Sequence, residues 1–161
     1  MTELENPPEN PCFGCGPAHP RGLRLRFERA AADDGHEEVR AHFVPQPDEV
    51  GWPTLFHQGL HFTVLYETAY WTALTLGGKL WVSFGPLSYQ ADRLPRVGVR
   101  HVARGRIVRL TPRELAIHST TETEEGRPMG RLESVWRPAR REVLDRAGIS
   151  LPDYLAAELA D

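Results

Sequence analysis

Apolar and polar residues alternate from Leu23 to Glu28, with Leu23, Leu25 and Phe27 on one side and Arg24, Arg26 and Glu28 on the other. That period of two predicts a half-buried strand. Asp33-Asp34-Gly35 predicts a turn, and residues 38–44 predict the hairpin partner. Pro45 to Pro53 predicts a proline-rich loop. From 57 to 76 the period changes. This stretch has no proline and one early glycine, and Leu60, Val64, Leu65, Ala69, Trp71, Ala73, Leu74 and Leu76 leave few charges on any face. A helix apolar nearly all round is a buried helix, and Gly77-Gly78 predicts its end. Four strand-like runs follow over 79–89, 97–110, 114–123 and 129–137, with Thr111-Pro112 and Glu125-Gly126 as turns. The tail 140–160 predicts a helix broken near Gly148, with Ser150 capping the second part.

The order strand, strand, buried helix, four strands, short helix gives an α+β fold. A curved sheet wrapped around the one long helix hides its whole circumference most simply. The reading divides the chain into an irregular, proline-rich lead-in (1–11), one folded domain (12–138) and a helical tail (139–161).

Composition narrows the class. A chain of 161 residues suits one domain with a real core. A net charge of −3 supplies no basic field, so no nucleic-acid partner is expected. No apolar run approaches the roughly 20 residues of a membrane span. The acidic, proline-rich start lacks the features of a signal peptide, which makes the cytoplasm the default expectation. Cys12 and Cys15 form a lone Cys-x-x-Cys. Two thiols are half of a zinc site, which His19, His36 or a second subunit could complete. The favoured reading is a tight turn in which the glycines and small thiols pack well, and it predicts no metal. His57 and His61, four apart, have the spacing of a helical chelate, but Gln58 stands where a metalloprotease carries its acid.

Cys12-Phe13-Gly14-Cys15-Gly16-Pro17 with Pro20, Gly22 and Leu23, Gly51-Trp52-Pro53, His57-Gln58-Gly59 and the long strands of Arg106 to Pro138 together resemble the hotdog-fold thioesterase superfamily, of the 4-hydroxybenzoyl-CoA and phenylacetyl-CoA thioesterase kind. The resemblance spans most of residues 12–138. It implies the hotdog fold, a thioester substrate that carries coenzyme A as part of itself, no separate cofactor, and self-association as a homodimer or as a dimer of dimers (a homotetramer). It departs from the family pattern at Gln58, which replaces a glycine, and at Tyr66, which replaces the acidic residue nine positions after the His.

The first turn of a helix has unpaired amides and a partial positive charge. A thioester carbonyl placed there is polarised as its oxyanion develops. Gly59 is therefore the expected oxyanion position, and Gly59 and Tyr66, seven apart, share a helical face. A phenol is a poor base at neutral pH. Glu67, about 100° further round, is the displaced carboxylate, or else a structural residue paired with a buried Arg. Ser83 is a candidate water-holding hydroxyl. His57, Gln58, Phe62 and Tyr66 are expected to line the substrate pocket. Arg93, Arg96, Arg100, Arg104, Arg106 and Arg109 suit coenzyme A phosphates or a solvated sheet face. The resulting expectation is an acyl-CoA or acyl-carrier-protein thioesterase. The alternative is a catalytically inactive hotdog protein that binds an acyl or aromatic ligand, because Tyr66 holds the acidic position.

Overall fold

The computed structural model describes residues 1–83, 85–146, 148 and 150–151. Among the described residues, ten strands and two α-helices follow in chain order: β1 (Thr2–Glu3), β2 (Phe27–Ala31), β3 (Glu37–Phe43), β4 (Val50–Trp52), β5 (Leu55–Phe56), α1 (Gln58–Leu76), β6 (Trp81–Val82), β7 (Leu87–Ala91), β8 (His101–Leu110), β9 (Leu115–Thr123), β10 (Pro128–Pro138) and α2 (Arg141–Arg146). Eight strands make one antiparallel sheet in the order β1-β2-β3-β8-β9-β10, with β6 and β7 sharing the far flank of β10. The remaining two, β4 and β5, form a small hairpin just before α1. The second part of the expected tail helix, after Ser150, lies outside the described residues.

The 19-residue α1 carries one carboxylate, Glu67, and no Lys or Arg. Its buried residues include Val64, Leu65, Glu67, Thr68, Ala69, Trp71 and Ala73, which point in nearly every direction round the axis. One side packs with Phe27, Val39, Ala41, Phe43 and Phe56. The other packs with Trp81, Leu115, Ile117, Leu132 and Trp136. Thr68 and Thr72 turn their hydroxyls back onto the carbonyls of Val64 and Thr68, both at 2.7 Å, so these polar groups are satisfied inside the helix. The helix crosses β8 at Gly105. A Cβ there would lie 2.1 Å from Thr72 Oγ1 and 3.0 Å from the Thr68 carbonyl.

Three expectations needed correction, each for a local reason. The alternation at Leu23–Glu28 gives the correct inward faces, since Leu25 and Phe27 are buried. Pairing as a strand begins only at Phe27. Leu23 and Leu25 instead donate their amides to Phe13 and Gly14, at 2.8 and 3.0 Å, and Arg24 sits at φ +50°. The run 79–89 is two strands, not one. Gly85 lies so close to β10 that a Cβ would meet the Val135 carbonyl at 2.4 Å, and Pro86 has no amide to donate. The loop at 45–53 holds a short 3-10 turn (Pro47–Glu49) and then β4.

On the outer face of the sheet Glu38 is fully buried beneath three guanidinium groups. Arg104 donates to Oε1 at 2.6 Å and Arg106 to Oε2 at 2.8 Å, and Arg40 pairs as well. Burial pushes this carboxyl up, but the hydrogen bonds from Arg40, Arg106 and Arg104 outweigh it and hold it below the ordinary range. Two of the arginines suggested for phosphate are therefore already engaged.

Gly105→Ala is expected to destabilise the fold by about 1–3 kcal/mol, the usual cost of overpacking a tight contact. Urea unfolding of the two proteins checks this. A neutral substitution would mean that α1 and β8 are less closely packed than described.

Candidate functional site

The start of α1 is shaped by His57 and by the β4–β5 hairpin. His57 is the N-cap, and its Nδ1 accepts a hydrogen bond from the Gly59 amide at 3.0 Å. Its own amide donates to the Glu49 carbonyl at 2.8 Å. Gly51 passes over this residue so closely that a Cβ would meet His57 Cα at 3.0 Å. His57, Gln58 and Gly59 are all exposed. The amides of Gln58 and Leu60 belong to the first turn, which offers them no intrahelical acceptor. This end of the helix is thus polar, open and electropositive.

One flank of α1 carries a row of aromatic rings. Phe62 and Tyr66 stack at 6.0 Å, and Tyr66 lies 5.5 Å from Trp136. Tyr89 of β7 meets Phe62 edge-on at 5.6 Å. Phe62, Tyr66 and Tyr89 are half-buried, whereas Trp136 is buried. The row runs from Tyr89, beside the helix mouth, to Trp136 in β10.

His61 lies beneath that row and is fully buried. Its Nδ1 is 3.0 Å from Tyr89 Oη, and its Nε2 is 2.6 Å from Thr121 Oγ1. Tyr89 also donates to the Gln58 carbonyl at 3.4 Å. With that proton committed, Nδ1–H donates to Tyr89 and Nε2 accepts from Thr121, which satisfies a neutral ring. Both ring nitrogens are therefore occupied within the protein, which removes His61 from a chelate with His57.

Glu67 points to the opposite flank. Its side chain is buried against the turn that holds the two cysteines, and Cys12 Sγ lies 3.4 Å from Oε1. A Cβ on Gly14 would overlap Glu67 Cγ at 2.3 Å. The expected buried Arg partner is replaced by two thiols. Burial, reinforced by the charge of Cys12, pushes Glu67 up to about 7. Mutual hydrogen bonding draws Cys12 down to about 5 and pushes Cys15 upward.

The structure thus brings His57, Gln58, Gly59, Phe62 and Tyr66 together and sets Glu67 apart from them. Ser83 directly follows β6, whose Val82 pairs with Arg137, while Gly130 sits against His61 near the helix start. Seven residues of strand separate these positions along β10, roughly 23 Å. Gly59, Glu67 and Ser83 do not converge within one protomer. The contact of Glu67 with the cysteines was missed from the sequence, although Glu67 is the only charge on an otherwise uncharged helix and so had to find a buried partner.

Burial lowers the His61 pKa to about 4, with the nearby His101 adding to the effect. The folded state therefore takes up its proton later than the unfolded chain, whose His titrates near ~6.5. The stability that His61 contributes is complete above that value and is lost as pH falls toward 4, by about 3 kcal/mol at most. Urea unfolding between pH 7.5 and 4 should show this loss, and His61→Gln should flatten it. An unchanged pH slope in the variant would exclude His61 as its source.

A scan against protein-family models matched none, and a search of curated proteins matched none. Solved structures do match. Protein RHA08564, described as a thioesterase superfamily protein, superimposes with a TM-score of 0.66 at 19% identity, over 78% of this chain and 62% of its own. The chain therefore spans less than two thirds of that protein. A hypothetical thioesterase from Streptococcus pneumoniae TIGR4, solved with coenzyme A, gives a TM-score of 0.59 at 15% identity, over 69% of this chain and 84% of its own. The E. coli PaaI protein from the phenylacetic acid degradation operon gives 0.59 at 8% identity, over 69% and 82%. One long helix enclosed by an antiparallel sheet, in the same arrangement as these thioesterase-superfamily structures, makes this chain a hotdog-fold protein.

Proposed function

We propose that this protein binds an acyl thioester of coenzyme A or of a carrier protein, with the thioester carbonyl at the N-terminus of α1 and the acyl group along the aromatic row. The observation that carries this reading is the junction of the two features. The open first turn of α1 ends where Phe62, Tyr66 and Tyr89 begin. Amides and dipole suit a carbonyl oxygen, and half-buried rings suit an apolar chain or an aryl group. His57 occupies the Gly59 amide, so the Gln58 and Leu60 amides are the available donors, joined by Gly59 if the imidazole turns aside. Two of the similar structures contain a related ligand: a Streptococcus mutans protein is bound to acetyl CoA, an acyl thioester, and the S. pneumoniae protein contains coenzyme A, the thiol part of one.

Hydrolysis is the second reading, supported by the helix terminus. Water would add to the carbonyl carbon, the C–S bond would break, and the departing thiolate would take up a proton. That water needs a base. Tyr66 stands where the hotdog thioesterases carry an acid, and Glu67 faces the thiols, so binding without turnover is the better supported of the two. The base for hydrolysis would have to come from a second subunit.

Among the described residues, the outer side of β7 is unpaired, and this edge of the main sheet supports such a pairing. β7 pairs with β10 on one side. The Asp92 amide and the Pro86 carbonyl both point to β10, so Leu87, Tyr89 and Ala91 present theirs outward. Leu87 is also exposed. A second copy adding strand to strand would cover this edge.

Two experiments test these statements. Thermal stabilisation by a panel of acyl and aryl coenzyme A thioesters is expected, with no thiol release from the wild type. Tyr66→Asp is expected to bring thiol release on the order of 10²-fold above the rate without protein, the lower range for a positioned base. Absence of stabilisation by every thioester would sink the binding reading, and steady turnover by the wild type would establish the hydrolase. In sedimentation, Leu87→Lys should shift a dimer toward monomer. A wild type that sediments as a monomer would remove the pairing.

A further inference from the structure

The N-terminal turn and α1 bring three ligand-bearing side chains to one point that the thioester reading does not use. Cys12 Sγ, Cys15 Sγ and a carboxylate oxygen of Glu67 all lie within 4.8 Å of one another. We propose that Cys12, Cys15 and Glu67 form a tetrahedral site for a divalent transition metal, zinc by ligand type, with water in the fourth position.

The spacing fits first. Zinc sits at ~2.3 Å from thiolate sulfur and ~2.1 Å from carboxylate oxygen, so tetrahedral ligands of these two kinds stand roughly 3.6 Å apart. Cys12 Sγ and Glu67 Oε1 are 3.4 Å apart. The second observation is independent of the cysteines. Glu67 is only 8% exposed, and its Oε2 has no hydrogen-bond partner among the described residues. A buried carboxylate with an unmatched oxygen calls for a cation or a proton. The groups that act on this carboxyl are the two thiols, with no Lys or Arg among them.

The surroundings are those of a thiolate site. Asn10 directs its Nδ2 at Cys15 Sγ, at 3.8 Å, while its Oδ1 accepts the Cys12 amide at 2.9 Å. Asn6 holds the Cys15 carbonyl at 2.7 Å. Such outer contacts fix ligand orientation and favour charged sulfur. Gly14 allows the turn to rest directly on the carboxylate, and Gly16 closes it by donating to the Cys12 carbonyl at 2.8 Å. A cleft of about 1030 Å³, lined by Leu4, Pro7, Phe27 and Trp71 among others, has Cys15 in its wall. His19 is engaged elsewhere: its Nδ1 accepts the Arg21 amide at 3.2 Å, and its ring packs edge-on against Phe13 at 5.2 Å.

On binding, the protons still held among Cys12, Cys15 and Glu67 pass to solvent, and the metal joins the turn to the middle of α1. The test uses the full chain, kept reduced with a phosphine, stripped with a chelator and titrated with cobalt(II) and then zinc(II) alone. One cobalt per chain is expected, with thiolate-to-cobalt charge-transfer absorption and the intense visible bands of tetrahedral cobalt, both abolished by zinc. Zinc should raise Tm, because it binds the folded state. Glu67→Gln, which keeps the shape of the side chain, and Cys15→Ser should each weaken zinc at least tenfold. Absence of the charge-transfer band in the wild type would overturn the site without recourse to any variant. So would zinc affinity unchanged in both variants. The readout is spectroscopic and does not depend on thioester binding, so the two readings can fail separately.

Discussion

A nearly uncharged helix has to be enclosed on almost every side, and most of this structure follows from that requirement. Each large apolar side chain moved from water contributes about 1.5–3 kcal/mol, and α1 offers such groups around most of its circumference. A flat sheet would cover one stripe of it. The sheet instead curves from β2 through β10, and its two halves supply the two clusters of the core. Close approach follows, which is why β8 has a glycine where it crosses Thr68 and Thr72.

Enclosure also sorts the polar residues. Successive helical residues are about 100° apart, so Tyr66 and Glu67, adjacent in sequence, belong to different neighbourhoods. Tyr66 joins the aromatic row beside the open helix start. Glu67 lies beneath the cysteine turn. His61 is kept neutral between two hydroxyls. The helix therefore divides the molecule into an aromatic, thioester-sized flank and a thiol-carboxylate flank.

Much of this was legible in the sequence. The helix was readable to within a residue at its start, because its period, its lack of proline and Gly77-Gly78 agree. The β2–β3 hairpin was readable from alternation and from Asp33-Asp34-Gly35. The grouping of His57, Gln58, Gly59, Phe62 and Tyr66 follows from their positions on one helix. What escaped depends on contacts distant in sequence. The break at Gly85-Pro86 reflects the approach of Val135, and the late start of β2 reflects amides diverted to Phe13 and Gly14. The partner of Glu67 lies 55 residues away at Cys12, and no local period carries that information.

Glu38 has a consequence for how the sheet comes together. Side chains on a strand alternate between faces, so a slip of one residue between β3 and β8 would exchange inside for outside. In the native register Glu38 meets the guanidinium groups of Arg40, Arg104 and Arg106. In a slipped register the same carboxylate would enter the apolar interior beside α1, parted from Arg104 and Arg106, at a cost of several kcal/mol. A single acid thus ties the inside and outside of two strands to one register, because its charge is tolerated on only one face of the sheet.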